Sequence, residues 1–318
     1  MSVKKAIIFG VSGQDGSYLS HFLIQKKYSV VGVTRNKSKK NLFRLEKLKI
    51  DNRIEILKGE ATNLEFCSKV INSSINEIYY LSGYSSVVGS FVNPHLSLQS
   101  NVSGLINILE TIKKKKLKIK LFNAGSGQFF GNNKNFFYNI DSKIEPKSPY
   151  GVSKAAAFWL TKIYRENYNI FCCTGVLFNH ESPLRAKEFV TKKIIDTAKR
   201  IKKNNKIVLE LGDTNIYRDW GWAPDYVEAM WLILQKNKPR DFIIGSGKIH
   251  SLREFVFEVF KYLKINKKNL KVNVKKYKRK LDLKGYRANI NKTTKILNWK
   301  PNLKFKDIIS KMINDELF

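Results

Sequence analysis

Acidic residues are scarce in this chain: 26 Asp and Glu stand against 59 Lys and Arg, a formal net charge of +33 over 318 residues. A field of that size attracts anions and can hold nucleic acid without sequence preference. The lysines, however, run along the whole chain, and no zinc-finger spacing, helix-turn-helix signal or aromatic RNA-binding pattern accompanies them. The charge therefore reads as solvated surface that helps to draw in a phosphorylated substrate, and nucleic acid is not an expected partner. Cysteine is also rare. Cys67 and the adjacent Cys172 and Cys173 fit no metal-ligand spacing, which points away from zinc and disulfides and toward reduced thiols of a cytoplasmic protein. No run of eighteen apolar residues occurs, and the opening "MSVKKAIIFG" enters a strand at once. Neither a membrane partner nor a signal peptide is expected.

What the sequence does contain is a regular alternation. "KAIIFG", "YSVVGVT", "IEILKG", "EIYYLSG", "IKLFNAG" and "NIFCCTGVLF" are short, apolar and β-branched, while "SGLINILETIKKKK" and similar stretches carry apolar residues at helical spacing. Strands alternating with helices predict an α/β fold: a Rossmann-like, doubly wound parallel sheet covered on both faces. After residue 178 the rhythm loosens. Residues 1–178 read as a dinucleotide-binding domain. Residues 179–318 read as a smaller mixed α/β substrate domain that sends segments back to the main sheet.

"GVSGQDG" follows the first strand and opens the first helix. Gly10, Gly13 and Gly16, with Gln14 and Asp15 between them, allow a tight turn, close approach of backbone to a pyrophosphate, and exposed N–H groups at a helix start. The second strand ends in Thr34 and Arg35. A carboxylate there would bind the adenosine ribose 2′-hydroxyl of NAD, whereas Arg35 suits the 2′-phosphate of NADP, so NADP is the favoured cofactor and NAD the alternative. Glu60 and Ala61 after the third strand, and Leu81, Ser82, Gly83 and Ser85 after the fourth, fall where the adenine and nicotinamide sides would be lined.

The fifth strand runs into "NAGSGQFFG", and "YGVSK" follows. Tyr150 is placed to act as acid or base at a sugar hydroxyl. Lys154, at i+4 on the same helical face, can lower the tyrosine's proton affinity and bond the nicotinamide ribose. Ser126 at the strand end can orient the hydroxyl. A Tyr-x-x-x-Lys spacing alone is weak, but together with the glycine loop and the strand-end serine it specifies hydride chemistry at an alcohol carbon.

These features resemble the extended short-chain dehydrogenase/reductases and, within them, the GDP-mannose 4,6-dehydratases. "GVSGQDGSYL" is close to that family's opening motif. "LFNHESPLRAKEFVTKKI" (Leu177 to Ile194), "LGDTNIYRDWGWAPDYV" (Leu211 to Val227) and "ILNWKP" (Ile296 to Pro301) are similar to its later signatures. The resemblance implies a GDP-sugar substrate and a homodimer or homotetramer, although the segment after Arg35 lacks the serine-rich stretch associated with tetramers. It implies further that His180 and Arg185 help to hold the cofactor, that Asn179, Lys193 and Arg218 contact the diphosphate and sugar, and that Arg279 and Asp282 contact the nucleotide ribose or base.

One position departs from the pattern. The family's loop resembles Ser-Thr-Ser-Glu, with the Glu moving the C5 proton, and here Gln128 takes its place. An amide keeps size and hydrogen bonds but neither gains nor loses a proton near neutral pH. Gln128 is the natural residue of an enzyme that stops at C4 oxidation, reduction or epimerisation, or an introduced isosteric replacement, or a sign that the base comes from elsewhere, such as Tyr150. Dehydration of a GDP-mannose-type hexose or heptose to a 4-keto-6-deoxy sugar is the leading expectation; net C4 redox chemistry or epimerisation is the alternative.

Overall fold

The structure, a computed structural model, describes residues 3–132, 136–276 and 283–318. The six apolar runs become strands β1 (Lys5–Phe9), β2 (Ser29–Thr34), β3 (Glu55–Lys58), β4 (Glu77–Tyr80), β5 (Lys120–Ser126) and β6 (Cys172–Leu177), joined by β7 (Phe242–Ile244). All pair in parallel, in the order β7-β6-β5-β4-β1-β2-β3. The direction of winding reverses between β1 and β4, and in such sheets ligands bind beyond the carboxyl ends of the strands at that reversal.

Period-two alternation explains why the sheet is covered on both faces. Ala6 and Ile8 of β1 pack in one cluster with Leu19, Leu23, Tyr226 and Met230, whereas Ile7 and Phe9 pack in another with Leu105, Ile108, Leu109 and Ile112. The first cluster draws on helices Gln14–Gln25 and Ala223–Leu234, the second on helix Gly104–Lys114. Cys67, Cys172 and Cys173 are buried, and burial pushes their thiols up to about 12, so at neutral pH they are packing residues.

The later part of the chain adds a further layer. Helices Val190–Lys203, Leu252–Leu263 and Phe305–Asn314 enclose a cluster with Leu209, Leu211, Trp220 and Trp222. A small mixed sheet pairs strand Gly285–Ala288 in parallel with both Tyr217–Arg218 and Phe137–Tyr138. This pairing carries a C-terminal segment back to the loop that follows β5. Buried Asp219 fixes it by accepting from the backbone N–H groups of Ser246, Gly247 and Ala288 and from the Ser246 hydroxyl.

Candidate active site

The turn after β1 is shaped by what a side chain would strike. Gly10 has φ +91°, and a Cβ there would lie 2.9 Å from the Ser82 nitrogen at the end of β4. At Gly16 a Cβ would lie 2.3 Å from the Gly10 carbonyl oxygen, so only glycine lets the helix start this close to the strand. Gly13 precedes helix Gln14–Gln25 and supplies no side-chain cap. The first-turn N–H groups can therefore serve an anionic ligand.

Asp15 and Gln14 are held in that first turn by the loop after β6. The Gln14 amide donates to an Asp15 oxygen at 3.1 Å and to the His180 carbonyl at 3.3 Å, and the Ser182 hydroxyl donates to Gln14 at 2.8 Å. His180 Nε2 meets Asp15, and Arg185 lies 3.3 Å from Glu181 with its guanidinium 3.6 Å from the centre of the Phe189 ring. Arg44, not singled out in the sequence, donates to the carbonyls of Ser12 and Leu184 and clamps the same two loops together.

At the end of β2, buried Thr34 occupies the place of a ribose-binding acid. Asn41 donates to its hydroxyl at 3.0 Å and to the Ser12 hydroxyl at 3.1 Å, while Arg35 is exposed. Glu60 is exposed and Ala61 buried; Leu81 and Ser82 are half-buried, and Gly83 and Ser85 exposed. Gly83 lies against the redox residues: a Cβ there would be 2.1 Å from Asn101 Oδ1 and 3.6 Å from Lys154 Nζ. Asn101 sits in a π-helical turn, Gln99–Ser103, and donates to Ser97 O and the Ser153 hydroxyl. Its buried Oδ1 has no hydrogen-bond partner among the described residues. An orphaned acceptor and a glycine cradle at the sheet's switch point fit a bound nicotinamide dinucleotide.

Helix Pro149–Tyr168 brings in the Tyr-x-x-x-Lys pair. Pro149 at its first turn and Ser148, whose hydroxyl accepts from Gly151 N at 3.0 Å, start it. Gly151 lets its backbone approach the loop after β5, where a Cβ would lie 3.0 Å from the Gln128 carbonyl. Tyr150, Lys154 and Ser126 are all buried. Lys154 Nζ donates to the Ala124 carbonyl at 2.8 Å and lies 5.9 Å from the centre of the Tyr150 ring. Burial pushes Tyr150 up to about 12, and the hydrogen-bonding Ser126 hydroxyl opposes this only in part. Burial likewise lowers Lys154 to about 8. Desolvation is the largest influence on both groups.

Gln128 is half-buried. Its Nε2 donates to the Tyr286 hydroxyl at 2.8 Å, and that hydroxyl donates to Asn179 Oδ1. Arg218 is buried, donates to the carbonyls of Tyr217 and Leu283, and faces Tyr286 with its guanidinium 5.0 Å from the ring centre. Lys193 donates to the Glu210 carbonyl at 3.0 Å. Arg279 and Asp282 lie outside the described residues. The loop after β5, the short strand Asn179–Glu181 that follows β6, and the Gly285–Ala288 strand thus converge on Gln128, Asn179 and Tyr286. Tyr286 was not legible beforehand, because "GYRAN" carries no motif.

With this geometry in view, comparison with known proteins is decisive. The family model for GDP-mannose 4,6 dehydratase matches residues 7–312. The chain belongs to the GDP-mannose 4,6-dehydratase family. Members with that name include one from Arabidopsis thaliana, 36% identical over 99% of this chain and 90% of its own length, and one from Homo sapiens, 34% identical over 98% and 91%. A Vibrio cholerae member is 37% identical over 80% of this chain and 71% of its own. Among solved structures, a dTDP-glucose 4,6-dehydratase from Bacillus anthracis in complex with NAD superposes with a TM-score of 0.86 at 22% identity, covering 98% of this chain and 96% of that one. A UDP-glucose 4-epimerase from Thermotoga maritima with UDP-glucose gives 0.85 at 19%, covering 98% and 97%. These two share the fold of this family member. The chain is accordingly an enzyme of the NAD(P)-dependent dehydratase type.

Proposed function

We propose that this enzyme takes a GDP-hexose of the GDP-mannose type, oxidises C4, and removes water across C5 and C6 to give a 4-keto-6-deoxy sugar. The observation that carries this reading is the grouping of Ser126, Tyr150 and Lys154 at the carboxyl edge of the sheet, beside the glycine turn, in a member of this family. Gly10, Gly13, Gly16, Gly83, Asn101 and Lys154 would hold a nicotinamide dinucleotide, which when bound accepts the C4 hydride and returns it at C6. Tyr150, as the phenolate, takes the proton of the C4 hydroxyl, with the nearby Lys154 ammonium as the cation that favours that state. Ser126 orients that hydroxyl. Asn179, Lys193 and Arg218 bind the diphosphate and sugar, with Arg offering the paired donors such a group needs.

NADP is the cofactor this reading favours. Thr34 brings no carboxylate to the ribose position, and Arg35 stands exposed beside it. A titration with each dinucleotide tests this, with tighter binding of NADP expected. A cytoplasmic site of action accords with three free thiols and with the finding that no helix among the described residues is long and apolar enough to cross a membrane. A homodimer or homotetramer is the proposed assembly, to be read by sedimentation. The direct test of function is incubation with GDP-mannose and NADP followed by mass spectrometry. A product lighter by one water supports dehydration; loss of two hydrogens, or unchanged mass with inverted C4, overturns it.

A further inference from the structure

Removing water beside a ketone needs a base for the C5 proton and an acid for the departing C6 oxygen. The Gln128 amide is neither. Among the described residues, the carboxylates that follow this loop in sequence are poorly placed for the work: Asp141 is exposed, and Glu145 is paired with Lys143 at 2.5 Å. Among the described residues, an ionisable group that does touch Gln128 is the Tyr286 phenol, 2.8 Å from the amide nitrogen.

We propose that Tyr286 is the acid–base group of the elimination, carrying the proton from C5 to the C6 oxygen, with Gln128 as its positioning residue. This rests on the dehydratase reading above. Tyr286 lies in strand Gly285–Ala288, in register with Arg218 on the neighbouring strand, and is buried. Among the described residues its oxygen both accepts and donates a hydrogen bond. Gln128 donates to the phenol oxygen, and Arg218 places a cation 5.0 Å from the ring centre, so both stabilise the phenolate. Burial and the acceptor Asn179 Oδ1 stabilise the phenol. Tyr150 and Tyr226, whose proton affinities the charge of Tyr286 raises, are further titratable neighbours among the described residues. A phenol oxygen that both accepts and donates a hydrogen bond suits a step that must first accept a proton and then give it back.

The step closes on itself. The Tyr286 phenolate takes the C5 proton of the 4-ketone, the C5–H electron pair becomes the C5–C6 double bond, and the C6–O bond breaks. Tyr286 returns the proton to the leaving oxygen, so one water departs and the phenolate is regenerated. Gln128 and Tyr286 together thereby replace one carboxylate, the amide fixing the phenol and the phenol moving the proton.

The test uses the full-length enzyme loaded with NADP, and GDP-4-keto-6-deoxymannose in deuterated water as a probe of C5 alone. The wild type should exchange the C5 hydrogen. Tyr286→Phe should lose that exchange by about a hundredfold or more, yet still reduce nicotinamide when given GDP-mannose, which also reports that it has folded. Adding Gln128→Glu to Tyr286→Phe should restore exchange, because a carboxylate then stands in the loop. The proposal is overturned if Tyr286→Phe exchanges within a few-fold of wild type, or if the double variant reduces nicotinamide but stays inert at C5. Should the single variant not fold, the double variant decides. If wild type given GDP-mannose neither reduces nicotinamide nor forms product, the dehydratase reading itself fails, an outcome distinct from failure at Tyr286.

Discussion

His180 Nε2 lies 2.9 Å from both carboxylate oxygens of Asp15, while its Nδ1 lies 2.8 Å from the Phe178 carbonyl. The pair joins residues 165 positions apart and locks the loop after β6 to the first turn of the dinucleotide helix. Burial by itself raises Asp15, but the His180 charge and hydrogen bond, followed by Gln14 and Arg185, outweigh it and hold the carboxyl at about 2. A folded value below the unfolded one means that the stabilisation is complete above the usual carboxylate range and is lost as pH falls from about 4 toward about 2. His180→Ala should therefore destabilise the protein by about 2 kcal/mol at pH 5, with the difference from wild type shrinking near pH 2. Chemical denaturation at both pH values checks this.

Lys154 should behave in the opposite sense. Burial lowers its folded value to about 8, so the folded protein bears the cost of a buried charge below that pH and sheds it as pH rises from about 8 toward the unfolded lysine range. Lys154→Met should raise stability at pH 7 by up to about 3 kcal/mol, while C4 oxidation falls sharply. In the wild type, NADP affinity should decline as pH passes about 8, and calorimetric titrations across pH 6.5–9.5 would show it. A Lys154→Met variant should lack that decline.

Tyr150→Phe should slow C4 oxidation by roughly a hundred- to ten-thousand-fold and leave GDP-mannose affinity little changed. In the proposed function the phenol acts on the proton in flight, whereas Asn179, Lys193 and Arg218 provide the binding. Pre-steady-state nicotinamide reduction, measured beside equilibrium binding, separates these effects.

Gly16→Ala should weaken NADP binding at least tenfold and destabilise the fold by about 1–3 kcal/mol. The new methyl would meet only backbone, at 2.3 Å from Gly10 O and 2.7 Å from Val11 Cα, and backbone here cannot swing aside. Gly13→Ala is the milder control, since its methyl meets Gly10 O alone at 3.3 Å. Calorimetric titration with NADP, beside thermal unfolding, measures both variants.

The parts of this fold that depend on local pattern could be read in the sequence. β1 to β6 are apolar, β-branched runs whose alternate residues feed opposite faces, and the glycine turn and the Tyr-x-x-x-Lys helix announce themselves by spacing. The parts that depend on long-range pairing could not. Tyr286 is 158 residues from Gln128 and reaches it only because strand Gly285–Ala288 pairs beside Tyr217–Arg218 and Phe137–Tyr138. The Asn101 orphan needs a π-helical turn that no periodicity signals, and the Asp15–His180 lock needs two motifs to meet in space. The upward push of burial on the Tyr150 phenol depends on the whole surrounding packing, which helical spacing does not carry.

The central claim is that the sugar is oxidised at C4 and reduced at C6 within one active site. GDP-mannose deuterated at C4, incubated with the NADP-loaded enzyme in ordinary water, tests this most directly. The account predicts a product one water lighter that carries the deuterium at C6. Deuterium retained by the dinucleotide, or returned to C4 of a sugar of unchanged mass, would contradict it.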